Sequence, residues 1–162
     1  MGIDWRDRRH IANLYMGQEM RVRTDGYYTE PGQLGRGVRQ GRPLSPLLFN
    51  IYIEGLVRYA VDDLEEGINV GGRLTKALRF ADDTAMVAKS QKGLKEIMER
   101  LHTTSREYGM RINIKETKVL KISKGKDTIV RINIGGIEIE QVKEFCYPGS
   151  MIKTDAKCHR EI

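Results

Sequence analysis

Apolar and polar positions follow distinct periods in different parts of this chain. Ile11, Leu14 and Tyr15 recur at helical spacing. Asp4 stands where an N-cap belongs, and Asp7, three residues on, suits the positive end of that helix. Glu19 to Thr24 alternates and meets Asp25-Gly26, a two-residue hairpin signal whose returning arm is Tyr27 to Thr29. Pro31, Gly32, Gly35, Gly37 and Gly41 predict a loop. Ser45-Pro46 predicts the start of a second helix, with serine as N-cap and proline at the first helical position. Leu47, Leu48, Phe49, Ile51, Tyr52, Ile53, Leu56, Val57, Ala60, Val61 and Leu64 leave that helix apolar on nearly every face, so it is predicted to be buried. Its acidic end, Asp62 to Glu66, opposes the helix dipole and is expected to fray.

Arg73 to Phe80 and Thr84 to Ala88 read as two strands about Ala81-Asp82-Asp83. Ser90 caps a third helix that runs to about Tyr108, with Leu94, Ile97, Met98 and Leu101 as its apolar stripe and Gly109 as its stop. Arg111 to Ile114 and Lys118 to Ile122 predict strands, and Thr128 to Ile134 with Ile137 to Val142 predicts a hairpin about Gly135-Gly136. The polar tail after Pro148 carries no clear element. Helices interleaved with hairpins on short turns imply antiparallel pairing, hence α+β: an antiparallel sheet packed on helices.

Composition narrows the class. Hydrophobic residues make up 40% of the 162 and charged residues 31%, which excludes wholesale disorder and fits one domain. No apolar run approaches the ~20 residues of a membrane-spanning helix. The first seven residues lack the layout of a secretory signal. Cys146 and Cys158 cannot build a disulfide framework, so an intracellular setting, nucleus or cytoplasm, is expected and no membrane partner. With His159 they also fit no common zinc finger spacing. The 28 Lys and Arg against 22 Asp and Glu give a charge of +6, a field that favours phosphate-rich partners. Lys115, Lys118, Lys121, Lys124 and Lys126 make either a phosphate-facing stripe or a solvated strand face. Trp5 and Tyr15 are expected to pack the first helix.

Asp82 and Asp83 are the sharpest chemical feature. Two adjacent carboxylates at a tight turn between apolar strands can approach one hard cation. On the dipeptide alone, a solvated acidic turn is the simpler reading. The longer pattern shifts that balance. Arg36-Gly37-Val38-Arg39-Gln40-Gly41-Arg42-Pro43-Leu44-Ser45-Pro46-Leu47-Leu48-Phe49-Asn50-Ile51 closely resembles the B motif of reverse transcriptases, specifically those of LINE-type (non-LTR) retrotransposons. Phe80-Ala81-Asp82-Asp83 is similar to the family's C motif. Gly109 to Asn113 through Thr117-Lys118 resembles its D motif, and Phe145 to Ser150 its E motif, the primer grip.

This resemblance implies a polymerase palm with part of the fingers. It implies RNA-directed DNA polymerase chemistry by two-metal nucleotidyl transfer, on an RNA template and a DNA primer. Asp82, with Asp83 beside it, would bind Mg2+, or Mn2+ in its place. Gln40, Gly41 and Phe80 would lie by the incoming nucleotide and template, Asn113 and Lys118 by the nucleotide phosphates, and Tyr147, Gly149 and Ser150 under the primer end.

The family's A motif strand, with another metal-binding aspartate, would precede the first helix. That strand, the N-terminal fingers and the thumb are absent from residues 1–162, so a truncated palm is expected, with weak metal binding and little or no polymerase activity alone. Asp4 and Asp7 are caps rather than substitutes. Arg42, Glu116, Pro148 and Ala156 depart from the usual cysteine, lysine, leucine and glycine, and Glu116 reverses a charge near the expected triphosphate. The missing strand would leave an open edge, so a homodimer or larger assembly is expected. A nucleic-acid-binding relic and a repurposed protein-interaction module are the alternative readings.

Overall fold

A computed structural model describes residues 3–123, 128–147, 150–155 and 158–159. The chain separates into two compact units, one running through Phe49 and the other from Asn50.

In the first unit Asp4 caps helix α1 (Trp5–Tyr15), its side chain accepting from the Arg6 amide at 2.8 Å. Trp5 does not pack this helix: it is exposed, with the Arg6 guanidinium 5.5 Å from its ring. Strands β1 (Glu19–Met20), β2 (Arg23–Thr24), β3 (Tyr27–Tyr28) and β4 (Gly32–Gln33) build a ribbon, in which β2 pairs with β3 and β1 with β4, both antiparallel. Its tip is Asp25-Gly26, both at positive φ, which glycine adopts freely and aspartate tolerates. The pairing of β4 extends the ribbon into what reads as loop. The Gln18 side chain ties the unit together. Its amide donates to the Leu14 carbonyl at 2.6 Å, and its oxygen accepts from Arg39 Nε at 2.8 Å.

Helix α2 (Leu44–Val61) begins in the first unit and continues in the second. It starts one residue before the predicted N-cap. Ser45 therefore sits inside the first turn, buried, and shares a hydrogen bond with the Tyr15 hydroxyl at 3.1 Å. The helix is not buried all round. Leu56, Val57, Ala60 and Val61 form one buried flank, while Leu47, Ile51, Tyr52 and Tyr59 are exposed. Nor is its acidic end left loose. Lys76 Nζ donates to the carbonyls of Val61 at 2.6 Å and Asp62 at 2.9 Å, satisfying the terminal acceptors as a cation at a C-terminus should. Arg100 holds Asp63 at 2.6 Å, and that hydrogen bond pulls the carboxyl below its ordinary range.

Next come two antiparallel hairpins, β5 (Ile68–Val70) with β6 (Arg73–Thr75), and β7 (Ala77–Phe80) with β8 (Asp83–Met86). Helix α3 (Gln91–Glu107) follows, capped by Ser90, whose hydroxyl accepts from the Gly93 amide at 2.9 Å. It stops in a Schellman motif: the Gly109 amide bonds the Arg106 carbonyl, the Met110 amide bonds the Ser105 carbonyl, and Gly109 has φ +67°. The segment after it, Arg111 to Ile114, forms no strand.

Strand β9 (Lys118–Leu120) pairs in parallel with β12 (Glu140–Val142), against the antiparallel expectation. Between them β10 (Asn133–Ile134) and β11 (Ile137–Glu138) form the expected hairpin about Gly135-Gly136, both at positive φ. The tail carries structure after all: β13 (Glu144–Tyr147) pairs with β14 (Ser150–Lys153), and β14 with β15 (Cys158–His159). The architecture is α+β, with strands in two- and three-stranded ribbons among the described residues rather than in one sheet.

The core joins Leu56, Val57, Ala60 and Val61 of α2 to Ile97, Met98 and Leu101 of α3, and to Val119, Ile132, Ile134 and Ile139. Ala77, Met86 and Ala88 pack against it, and this anchors the β7–β8 hairpin. Among the described residues no helix is long and apolar enough to cross a membrane.

Candidate functional site

The β7–β8 hairpin is built so that Phe80 pairs directly with Asp83, which leaves Ala81 and Asp82 as a two-residue loop. The turn is thus one residue shorter than Ala81-Asp82-Asp83. Asp82 rides the loop, whereas Asp83 opens strand β8. Ala81 has φ +54°, a left-handed conformation that costs a residue with a Cβ about 1–2 kcal/mol. Such strain persists where surrounding structure imposes it, and it clusters at functional turns. Here the imposing structure is the ladder below: Leu78 opposite Ala85 and Ala77 opposite Met86, with Ala77 and Met86 against the core. Asp82, Asp83 and Phe80 are all exposed, Phe80 by 63% of its surface.

Tyr147, at the end of β13, lies within electrostatic reach of Asp83. Its hydroxyl is shut off from solvent and has no hydrogen-bond partner among the described residues. Burial pushes its pKa above the ordinary tyrosine value, and the negative charge of Asp83 pushes it further the same way. The neutral hydroxyl therefore persists across the physiological range, as a donor without an acceptor among the described residues. Ser150 stands opposite Tyr147 in the β13–β14 register. Gly149, Pro148, Lys124, Lys126 and Ala156 lie outside the described residues.

The other expected residues are placed as follows. Gln40 and Gly41 sit on an exposed turn of the first unit, with Gly41 at φ +78°. Asn113 is exposed, and its carbonyl closes a turn by accepting from the Thr117 amide at 3.0 Å and the Thr117 hydroxyl at 2.8 Å. Lys118 is ion-paired: its Nζ lies 2.5 Å from Glu140 Oε2, its register partner across β9–β12. Glu140 gave no sequence signal, because its partner is known only once the parallel pairing is known.

The donor set fits a divalent ion in a limited sense. Asp82 and Asp83 supply hard anionic oxygens, and magnesium is held by one or two carboxylates together with substrate phosphates. No group of three or more His, Cys, Asp or Glu converges among the described residues, so an all-protein cage is not built there. The same holds for zinc at Cys146.

The chain belongs to the reverse transcriptase (RNA-dependent DNA polymerase) family, whose profile matches residues 6–152. That family generally uses divalent metal ions and binds nucleic-acid template and primer. Within it the chain is similar to retrotransposon proteins of insects. It is 30% identical over 140 residues to the retrovirus-related Pol polyprotein from type-2 retrotransposable element R2DM of Drosophila melanogaster, covering 83% of this chain and 13% of that protein. It is 30% identical over 145 residues to the Pol polyprotein from type-1 retrotransposable element R2 of Nasonia vitripennis, covering 83% and 14%. Against the corresponding R2 protein of Popillia japonica it is 26% identical over 146 residues, covering 90% and 19%. The chain thus spans less than a fifth of the length of these relatives. The relatives bear out the non-LTR resemblance carried by Arg36 to Ile51.

Proposed function

We propose that this chain forms the palm of an RNA-directed DNA polymerase, with Asp82 holding the catalytic divalent ion, Asp83 beside it and Tyr147 at the primer end. The observation that carries the reading is the strained Phe80–Asp83 hairpin, which puts Asp82 at its tip and Asp83 at the start of β8, its charge felt by Tyr147. A bound Mg2+ would neutralise charge on the transferring phosphate and activate the attacking oxygen. The protein's own part is to orient. The β7–β8 ladder fixes the carboxylates, and Tyr147 would lie under the primer end. Phe80 offers an exposed ring to a base.

Two carboxylates alone make a weak ion site. The 162-residue chain is therefore expected to bind an RNA-template, DNA-primer hybrid in a salt-dependent manner but to extend it little, with Mg2+ or Mn2+. Filter binding at rising salt, with primer extension on the same hybrid, checks this. Affinity for the hybrid no greater than for a neutral polymer would end the palm reading. Robust extension would show a complete site.

The edge of β7 away from β8 has no partner strand among the described residues. An open edge recruits another strand. The chain is accordingly expected to run as a dimer or larger species in light scattering at tens of micromolar, and a strict monomer would refute it.

A further inference from the structure

Helix α3 sorts its charges onto two flanks. On one, Asp63, Glu99 and Glu107 rim an open cleft of about 550 Å³, and the Arg100 there is already engaged by Asp63 at 2.6 Å and Glu96 at 3.6 Å. On the other flank lies a more enclosed cavity of about 240 Å³ with no carboxylate in its lining. His102, Arg106 and Arg111 supply its polar wall, and Met110, Ile112 and Ile114 its apolar floor.

We propose that this second cavity binds a phosphate group, at a site made of residues other than Asp82, Asp83, Asn113 and Lys118. Its construction is legible in local chemistry. His102 and Arg106 are four residues apart and share one face of α3. The Schellman motif then reverses the chain, so that Arg111 returns to the same cavity. Both arginines lack an ion-pair partner among the described residues, unlike Arg58, Arg79, Arg100 and Arg131. The guanidinium fork matches phosphate oxygens in a bidentate way, and an imidazole has an N–H to give in either charge state. Ser105 is not a further donor, because its hydroxyl already donates to the Leu101 carbonyl at 2.6 Å.

Two objections are met by the fold. A helix C-terminus repels anions through its open carbonyls. Here the Ser105 and Arg106 carbonyls are closed by the Met110 and Gly109 amides. A mobile imidazole would also bind poorly. The hairpin turn seats against it: a Cβ on Gly135 would stand 3.0 Å from His102 Nε2. The cavity is below the roughly 300–1,000 Å³ of whole-ligand pockets, so it takes the phosphate group and leaves the rest of the molecule outside. The phosphate belongs either to a nucleic-acid backbone or to a free phosphorylated compound.

The test uses the 162-residue chain, the His102 imidazole resonance in NMR, and two probes, inorganic phosphate and a short oligothymidylate. A shift on phosphate alone supports a free-phosphate site, and a shift with the oligonucleotide only supports a backbone site. In parallel, Arg106→Gln/Arg111→Gln is compared with Lys89→Gln/Lys92→Gln, which removes the same charge from exposed positions outside the cavity. Only the arginine variant should lower the salt slope of oligonucleotide binding, by about 0.7, the share of one phosphate contact on a single strand. No His102 response to either probe overturns the site, and a His102 response to the oligonucleotide with equal slopes in the two variants overturns its backbone form. Asp82→Asn should leave the His102 response intact, so a failed polymerase reading would not be mistaken for a failed phosphate site.

Discussion

Asp82→Asn is expected to weaken Mn2+ binding by the chain more than tenfold, measured by titration calorimetry in the presence of a nucleoside triphosphate. The substitution keeps the side chain's size and its tolerance of turns while removing the charge. Loss of an outer partner that merely orients a ligand typically costs 10–100-fold in metal affinity, so loss of a direct carboxylate should cost at least as much. The effect should be large here because no third acidic or imidazole ligand converges on the pair among the described residues. Asp25→Asn provides the control. Asp25 is also an exposed aspartate on a two-residue hairpin loop at positive φ, but it has no carboxylate neighbour at the turn. If tight hairpin aspartates bound Mn2+ indiscriminately, both variants would lose affinity. If Asp82 plays no part, Asp82→Asn would titrate like the unmodified chain, and the metal assignment would fall.

The site was legible in the sequence to the extent that its geometry is local. Asp25-Gly26 and Gly135-Gly136 announced their turns because these residues tolerate the positive φ that a type I′ loop needs at both positions. Helix α3 was readable from end to end through Ser90, its apolar stripe and Gly109. The metal turn was found by motif, yet its register slipped by one, because nothing in Ala81-Asp82-Asp83 reveals that Phe80 pairs with Asp83 and forces alanine into a glycine conformation. What was illegible depends on distant partners. Glu140 to Val142 looks like any returning hairpin arm, but it lies parallel to Lys118 to Leu120, and this pairs Lys118 with Glu140. The apolar run of α2 read as wholly buried because hydrophobicity shows what a face could cover, not whether a neighbour is there to cover it. The frayed end of α2 was misjudged for the same reason, since Lys76 reaches it from fourteen residues on. The His102, Arg106 and Arg111 cluster had a weak signal in its four-residue spacing, but its third member arrives only through the helix stop.

Ile134→Ala is expected to destabilise the second unit by about 2–5 kcal/mol, the range for deleting a buried isoleucine side chain. Ile134 has no exposed surface, and neither does Ile97 of α3, against which the β10 strand packs. The same helix also contacts β8, so α3 is the shared wall between the β10–β11 hairpin and the hairpin that carries Asp82. Removing Ile134 opens a cavity on that wall, and the core relaxes only in part because side chains there interdigitate. A domain has only about 5–15 kcal/mol of net stability, so the loss is a large share of it. Urea unfolding followed by circular dichroism should show a lower midpoint with an unchanged slope, the mark of lost stability without a changed unfolded state. Ile134→Val should cost only about 0.5–1.5 kcal/mol. Ile137→Ala, across the same turn but 56% exposed, should stay within about 0.5 kcal/mol of the unmodified chain. Because Ala77 and Met86 lean on this core, Ile134→Ala should also loosen the ladder that holds Ala81 in its left-handed conformation. Mn2+ affinity should then fall in Ile134→Ala and hold in Ile137→Ala. Equal affinities in the two would mean that the metal turn stands on its own hairpin rather than on the core.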